Sequence, residues 1–275
     1  MWLLNGERRH CIDASDRGFQ YGDGVFETLD VLQGKPLFFE QHYRRLLLGC
    51  QHLLIPCPEF ELLHAEALQL ASDSEQAVLK LIVTRGTGGR GYRQPSVISP
   101  TRLFSLHPHP DYPAAWQQEG VTLRLCQKRL AINPDLAAIK HLNRLEQILA
   151  RAEWSDDGIQ EGLMLDAEQQ VIEGTMSNVF AVKHGELLTP RLDRCGIAGI
   201  VRGLILDAAD SLALTVRETR LHVQDLLDAD EIFLTNSIIG LWPVQSFERR
   251  SWAVGPVTQR LQAWYAQRRQ EAAQS

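Results

Sequence analysis

The sequence predicts a mixed α+β fold in two domains, and three observations carry that expectation. Short runs of strand length, alternating or wholly apolar, recur along the chain, and apolar stripes at helical spacing interrupt them irregularly. Prolines at 108, 110 and 113 mark a segment that continues neither a helix nor a central strand. Strands and helices mixed this unevenly, with several hairpin signals, argue against a regular parallel sheet of repeated βαβ units. A small α/β domain over residues 1–107, a linker over 108–119 and a larger mixed domain over 120–275 follow from this pattern.

In the first domain residues 2–4 and 25–32 read as strands. Leu46, Leu47, Cys50, Leu53 and Leu54 line one face of a helix over 40–54, and Leu62, Leu63, Ala67 and Leu70 do the same over 59–70. Residues 77–84 and 102–106 are apolar enough for buried strands. The second domain opens with a strand over 121–126. A helix over 142–154 follows, with Leu142, Leu145, Ile148, Leu149 and Ala152 on one face. Short strands over 162–166, 171–173, 177–182 and 186–189 are separated by the turn signals Ala167-Glu168 and His184-Gly185. A helix over 200–209, a strand over 214–219, a short helix over 223–227, a strand over 231–235 and a terminal helix over 256–269 complete the chain, before a polar Gln/Ala-rich tail.

Composition narrows the function classes. A net charge of −6 argues against a general nucleic-acid surface, which needs a basic patch to neutralise phosphates. No apolar run approaches a membrane span, and the opening Met1-Trp2-Leu3-Leu4 turns polar too early for a signal peptide, which leads to the expectation of a cytoplasmic protein. The five cysteines are scattered without a Cys-x-x-Cys pair, so neither a disulfide framework nor a metal cage is expected.

Lysine is scarce: only Lys35, Lys80, Lys128, Lys140 and Lys183 stand among 28 basic residues. Chemistry that needs a neutral amine therefore has few candidates. Lys140, between an apolar approach and a helical pattern, is the first; Lys80, inside the apolar run 78–83, is its rival, and local physics leaves both open. Cys195-Gly196-Ile197-Ala198-Gly199-Ile200 places glycines before a helix, where backbone N–H groups favour an anion, although ordinary helix starts share the pattern. Arg44 is a candidate partner for that anion. Glu173 ends a short strand, where it either holds a positive charge or faces solvent. Arg85-Gly86-Thr87-Gly88-Gly89-Arg90-Gly91-Tyr92 joins arginines to glycines that let backbone approach a ligand closely.

The run from Ser15 to Thr28, the Lys140 segment, Glu173-Gly174 with Ser177-Asn178, the Gly199-Ile200-x-Arg202 turn and the stretch from Ala229 to Val244 together resemble the fold-type IV pyridoxal phosphate enzymes, in order and spacing over nearly the whole chain. That resemblance implies pyridoxal 5'-phosphate as cofactor, held where the two domains meet. It implies covalent attachment to Lys140, a structural role for Lys80, and Glu173 against the pyridine nitrogen. It places the phosphate on Arg44, the amides of Ile200 and Val201, and the hydroxyl of Ser237. Arg90 matches an arginine that binds substrate carboxylate in D-amino acid aminotransferases, and Thr28 and Asn236 stand on the substrate side, Thr28 as a proton donor beside Lys140.

Within that group, the run from Lys140 to Gln147 and the loop from Gly88 to Tyr92 look most like lyases that split 4-amino-4-deoxychorismate into 4-aminobenzoate and pyruvate, a step of folate synthesis. Branched-chain aminotransferases carry a tyrosine shortly after the lysine, where this chain has Asn143, Arg144 and Leu145. A D-amino acid or branched-chain aminotransferase is the alternative, and a non-catalytic binder of the cofactor or another anion the third. The resemblance also implies a homodimer acting on a small molecule, without nucleic-acid or membrane partners and without a metal.

Overall fold

A computed structural model describes residues 1–274; Ser275, the end of the polar tail, lies outside the described residues. The chain forms two compact units, one of Met1–Pro110 with Ile139–Asn143 and the stretch from Arg268, the other of Asp111–Ala138 with Arg144–Gln267.

The first unit runs β1 (Trp2–Leu4), α1 (Arg17–Tyr21), β2 (Gly24–Leu32), β3 (Lys35–Pro36), α2 (Phe39–His52), α3 (Phe60–Ala71), β4 (Gln76–Thr84) and β5 (Thr101–Pro108). Its strands pair antiparallel in the order β1-β5-β4-β2-β3. Alternate residues of β2 and β4, among them Val25, Leu29, Leu79, Leu81 and Val83, turn into a core with Leu46 of α2, Leu63 and Ala67 of α3, and Phe104 of β5. Each large side chain fully buried here contributes about 1.5–3 kcal/mol relative to exposure.

The second unit runs α4 (Ala114–Gln118), β6 (Val121–Leu130), a 3₁₀ turn (Pro134–Leu136), α5 (Leu145–Arg151), β7 (Glu161–Asp166), β8 (Val171–Gly174), β9 (Asn178–Lys183), β10 (Glu186–Pro190), α6 (Ile200–Ala208), β11 (Val216–Thr219), α7 (Val223–Leu227), β12 (Glu231–Asn236), β13 (Gly240–Phe247), β14 (Arg250–Ser251) and α8 (Pro256–Gln274). Its strands follow the order β11-β10-β9-β12-β13-β6-β7-β8, with β14 on β13. Parallel pairs (β10 with β11, β13 with β6, β6 with β7) mix with antiparallel ones, as the α+β expectation requires. The last turns of α8 belong to the first unit, where Arg269 donates to Asp30 of β2.

Three sequence readings change. The stretch 108–119, read as a linker, contains α4, which starts directly after Pro113; its Trp116 packs with Tyr112 against Trp242, at 5.1 and 4.9 Å between ring centroids. The prolines punctuate structured chain there. Strand β13 went unread because Pro243 sits inside it, although Phe233 pairs with it in register. The helix expected over 142–154 covers only Leu145–Arg151, and its apolar face points outward: Leu145, Ile148 and Leu149 are 71%, 60% and 53% exposed, while Gln147 and Ala150 are buried. The apolar stripe is real, but within this chain it is not the core face.

Candidate active site

The first unit uses the two faces of β2 differently. Val25, Glu27, Leu29 and Val31 are buried, whereas Phe26 and Thr28 are half-open, the alternation that a pleated strand imposes. Lys140 meets the half-open face, with Nζ 4.3 Å from the centroid of the Phe26 ring. Lys80, the cross-strand partner of Thr28, brings its Nζ to 5.2 Å from the same ring. The structure thus gathers Lys140, Lys80, Phe26 and Thr28.

Lys140 is not at a helix start, as the sequence reading had it. Residues 139–143 run beside the beginning of β2: the Phe26 N–H donates to the Lys140 carbonyl and the Leu142 N–H to the Gly24 carbonyl, both at 3.0 Å, and His141 bridges Val25. These bonds anchor the backbone that directly follows the Lys140 side chain. A Cβ at Gly24 would stand 2.5 Å from the Val83 carbonyl oxygen and 2.9 Å from Leu142 Cδ1, so this close approach needs glycine.

On the buried face, Glu27 accepts from His42 Nδ1 at 2.6 Å and from Arg45 Nε and Nη2 at 2.8 and 2.5 Å. Burial by itself would raise the Glu27 carboxyl; the Arg45 charge and the hydrogen bonds of Arg45 and His42 outweigh it and hold the group at about 2. Burial pushes His42 below its ordinary value, against the pull of Glu27. Neutral His42 therefore donates from Nδ1 to an ionised Glu27. This arrangement corrects the expectation for Arg44, whose side chain is 70% exposed and pairs with Glu40 one helical turn away. Arg45, one position on and 12% exposed, is the guanidinium turned inward. Successive helix residues differ by about 100° in direction, and the sequence did not reveal which of the two arginines faces in.

In the second unit Glu173 is buried at the end of β8. Its Oε2 accepts from the Ile197 N–H at 2.8 Å and its Oε1 from Gln147 Nε2 at 3.3 Å. Asn178 donates from Nδ2 to the Ile197 carbonyl at 2.8 Å, tying the loop before α6 from its other side. Gly196, at φ +88°, makes the turn that aims the Ile197 amide; a Cβ there would lie 3.4 Å from Glu173 Oε2 and 2.7 Å from Ile172 Cγ2. Buried Glu161 accepts from Ser177 Oγ and from the amides of Thr175 and Met176, fixing the turn between β8 and β9. Burial draws the Arg144 guanidinium down, while Glu173 and Glu146 pull it up.

Helix α6 begins at Ile200 after Gly199, and no side chain caps it. Its first-turn amides, with those of Ile200 and Val201 among them, suit a phosphate. A Cβ at Gly199 would fall 1.9 Å from Asn178 Oδ1. Gln147 Oε1 and Thr235 Oγ1 are buried without a hydrogen-bond partner, as expected where a bound group supplies the missing contacts. Ser237 is half-buried in the turn between β12 and β13. Asn236, expected on the substrate side, also shapes that turn: its Oδ1 accepts from the amides of Ile238 and Ile239 and its Nδ2 donates to the Met176 carbonyl. Sequence reasoning missed Arg45, Phe26 and Gln147. Gln147 lies on the side of α5 opposite its apolar stripe, a side that periodicity does not mark as buried.

The family model of class IV amino-transferases matches residues 24–247. The chain belongs to the class IV aminotransferase family. An aminodeoxychorismate lyase of Vibrio harveyi is 36% identical over 266 residues, covering 95% of this chain and 98% of the relative. A putative branched-chain-amino-acid aminotransferase of Methanocaldococcus jannaschii is 30% identical over 94% of this chain and 92% of its own. The crystal structure of 4-amino-4-deoxychorismate lyase from Pseudomonas aeruginosa superposes with a TM-score of 0.93 at 44% identity, covering 97% of this chain and 98% of that one. The class IV resemblance read from the motifs is thereby borne out, and so is the mixed fold.

Proposed function

We propose that this class IV chain is an aminodeoxychorismate lyase that uses pyridoxal 5'-phosphate to convert 4-amino-4-deoxychorismate to 4-aminobenzoate and pyruvate. The observation that carries the reading is the 44% identity and 0.93 TM-score with the Pseudomonas aeruginosa lyase, against 30% identity with the putative branched-chain aminotransferase.

The cofactor supplies an electron-withdrawing ring to the substrate carbon that bears the amino group. The residues fit such a group: an uncapped helix start for its phosphate, a buried carboxylate for its ring nitrogen, and a lysine held by backbone on a half-open sheet face. Lys140 would hold the cofactor and, as a free amine, would take the proton from the amine-bearing ring carbon. Glu173, itself held by the Ile197 amide and Gln147, would keep a positive charge on the ring nitrogen. The amides of Ile200 and Val201 and the Ser237 hydroxyl would hold the phosphate, and Arg45, in place of Arg44, would add a guanidinium to it. Arg90 binds a substrate carboxylate. Loss of the ring proton and cleavage of the enolpyruvyl ether C–O bond aromatise the ring, and Thr28 or Lys140 returns a proton to the methylene carbon of the departing group, giving pyruvate.

We place the enzyme in the cytoplasm as a homodimer; the outward apolar face of α5, with Leu145, Ile148 and Leu149, supports an interface with a second copy. Formation of 4-aminobenzoate from enzymatically generated aminodeoxychorismate tests the activity. Amino transfer from D-alanine or a branched-chain amino acid to a keto acid, without 4-aminobenzoate formation, would overturn it.

A further inference from the structure

The loop that carries Arg90 is exposed, yet the backbone on both sides of Arg90 is tied to buried structure within the first unit. Arg17, buried on α1, donates from Nη1 to the Gly91 carbonyl at 2.9 Å and to the Gly89 carbonyl at 3.5 Å. The Gly91 N–H donates to the Tyr21 hydroxyl at 3.1 Å. The Arg17 guanidinium carbon lies 4.9 Å from the Tyr21 ring centroid, and Tyr21 meets Tyr92 edge-on at 5.9 Å. A Cβ at Gly88 would stand 2.8 Å from Arg17 Cδ, so the loop lies directly on the Arg17 side chain.

Arg17 is itself fixed. Its Nε donates to Asp23 Oδ2 at 2.9 Å, and Asp23 accepts Arg85 Nε and Nη2 at 2.8 and 2.9 Å. Arg85 donates its remaining groups to the Leu54 and Leu53 carbonyls, at 2.8 and 2.6 Å, in the turn after α2. A chain of charge-assisted bonds therefore runs from that turn through Arg85, Asp23 and Arg17 to the two glycines flanking Arg90.

We infer that Arg17 and Tyr21 are positioning residues for Arg90: they hold the Gly89 and Gly91 backbone and so present the Arg90 guanidinium preformed to the substrate carboxylate. This rests on the reading that Arg90 binds that carboxylate. Ordering a glycine-rich loop costs conformational entropy at each residue, and a loop already ordered in the free enzyme meets that cost before substrate arrives.

The test uses the cofactor-loaded enzyme and the Tyr21→Phe, Arg17→Lys, Arg90→Ala and Tyr21→Phe/Arg90→Ala variants, with KM and kcat for 4-amino-4-deoxychorismate, the visible cofactor absorption and amide hydrogen exchange over residues 88–92. Tyr21→Phe keeps the ring and loses one acceptor. It is expected to raise KM about fivefold, the worth of one ordinary hydrogen bond, with kcat and cofactor absorption unchanged and faster exchange in the loop. Arg17→Lys, which keeps the charge but not the fork, should do the same more strongly. In the Arg90→Ala background the Tyr21→Phe effect on KM should vanish, because it acts through Arg90. Unchanged loop exchange and KM in Tyr21→Phe, or a KM effect that persists undiminished without Arg90, overturns the positioning role. Arg90→Ala with an unaltered KM overturns the substrate role of Arg90 instead, and is told apart because the Tyr21→Phe loop still exchanges faster.

Discussion

The Nζ atoms of Lys140 and Lys80 stand over one aromatic ring, that of Phe26, at 4.3 and 5.2 Å from its centroid. The two lysines that local physics left open thus both lie against Phe26 of β2, and substitution tests the roles that the family resemblance implies. Lys140→Ala is expected to abolish the visible cofactor absorption and to lower the rate of 4-aminobenzoate formation by about 10²–10⁴-fold or more. Lys80→Met should keep the absorption. A spectrum lost in Lys80→Met and kept in Lys140→Ala would reverse the assignment.

Acid should loosen the first unit through Glu27. Its carboxyl is held at about 2, below the ordinary 4.5, so its ion pair contributes full stability above about 4.5 and loses it as pH falls towards about 2. His42, drawn below its ordinary 6.5, acts in the same direction, since acid favours the unfolded chain in which it can protonate. Glu27→Gln removes the buried carboxylate that Arg45 and His42 share and should cost about 3–5 kcal/mol at neutral pH. Thermal melts between pH 7 and pH 3 check both points: the variant should melt lower at neutral pH and show a shallower acid slope than the parent.

The start of α6 accepts no side chain at residue 199, where a Cβ would collide with Asn178 Oδ1 at 1.9 Å. Asn178 is buried and tied to the Ile197 carbonyl, so it cannot simply swing away. Gly199→Ala should displace the first-turn amides and weaken cofactor binding roughly tenfold, about what a helix terminus contributes to a bound anion. Titration of the apoprotein with pyridoxal phosphate, followed by absorbance, measures it; an unchanged affinity would remove this helix start from the phosphate site.

Ile148→Glu on α5 places a charge in the middle of the exposed apolar face formed with Leu145 and Leu149. If that face joins two copies, sedimentation should shift from dimer to monomer while the far-ultraviolet spectrum is retained. A parent protein that sediments as a monomer would dismiss the interface.

Much of this protein is legible in its residue order. Helices α2 and α3 and strands β2 and β4 follow from periodicity, because a helix or a pleated strand repeats its buried side at a fixed interval. Lys140, Glu173 and the glycines before α6 are legible for another reason: each lies in a short motif whose neighbours are close in the chain. Long-range contacts set the rest. Arg45 rather than Arg44 faces inward because Glu27, 18 residues away on β2, waits for it with His42. The inward side of α5 is Gln147 because Glu173, 26 residues on, accepts its amide. Pro243 is tolerated in β13, and the loop around Arg90 is ordered by Arg17, 74 residues before the Gly91 carbonyl it grips. Periodicity reports that an element has two sides; which partner stands on each is settled only when distant segments pack and every buried polar group must find its mate.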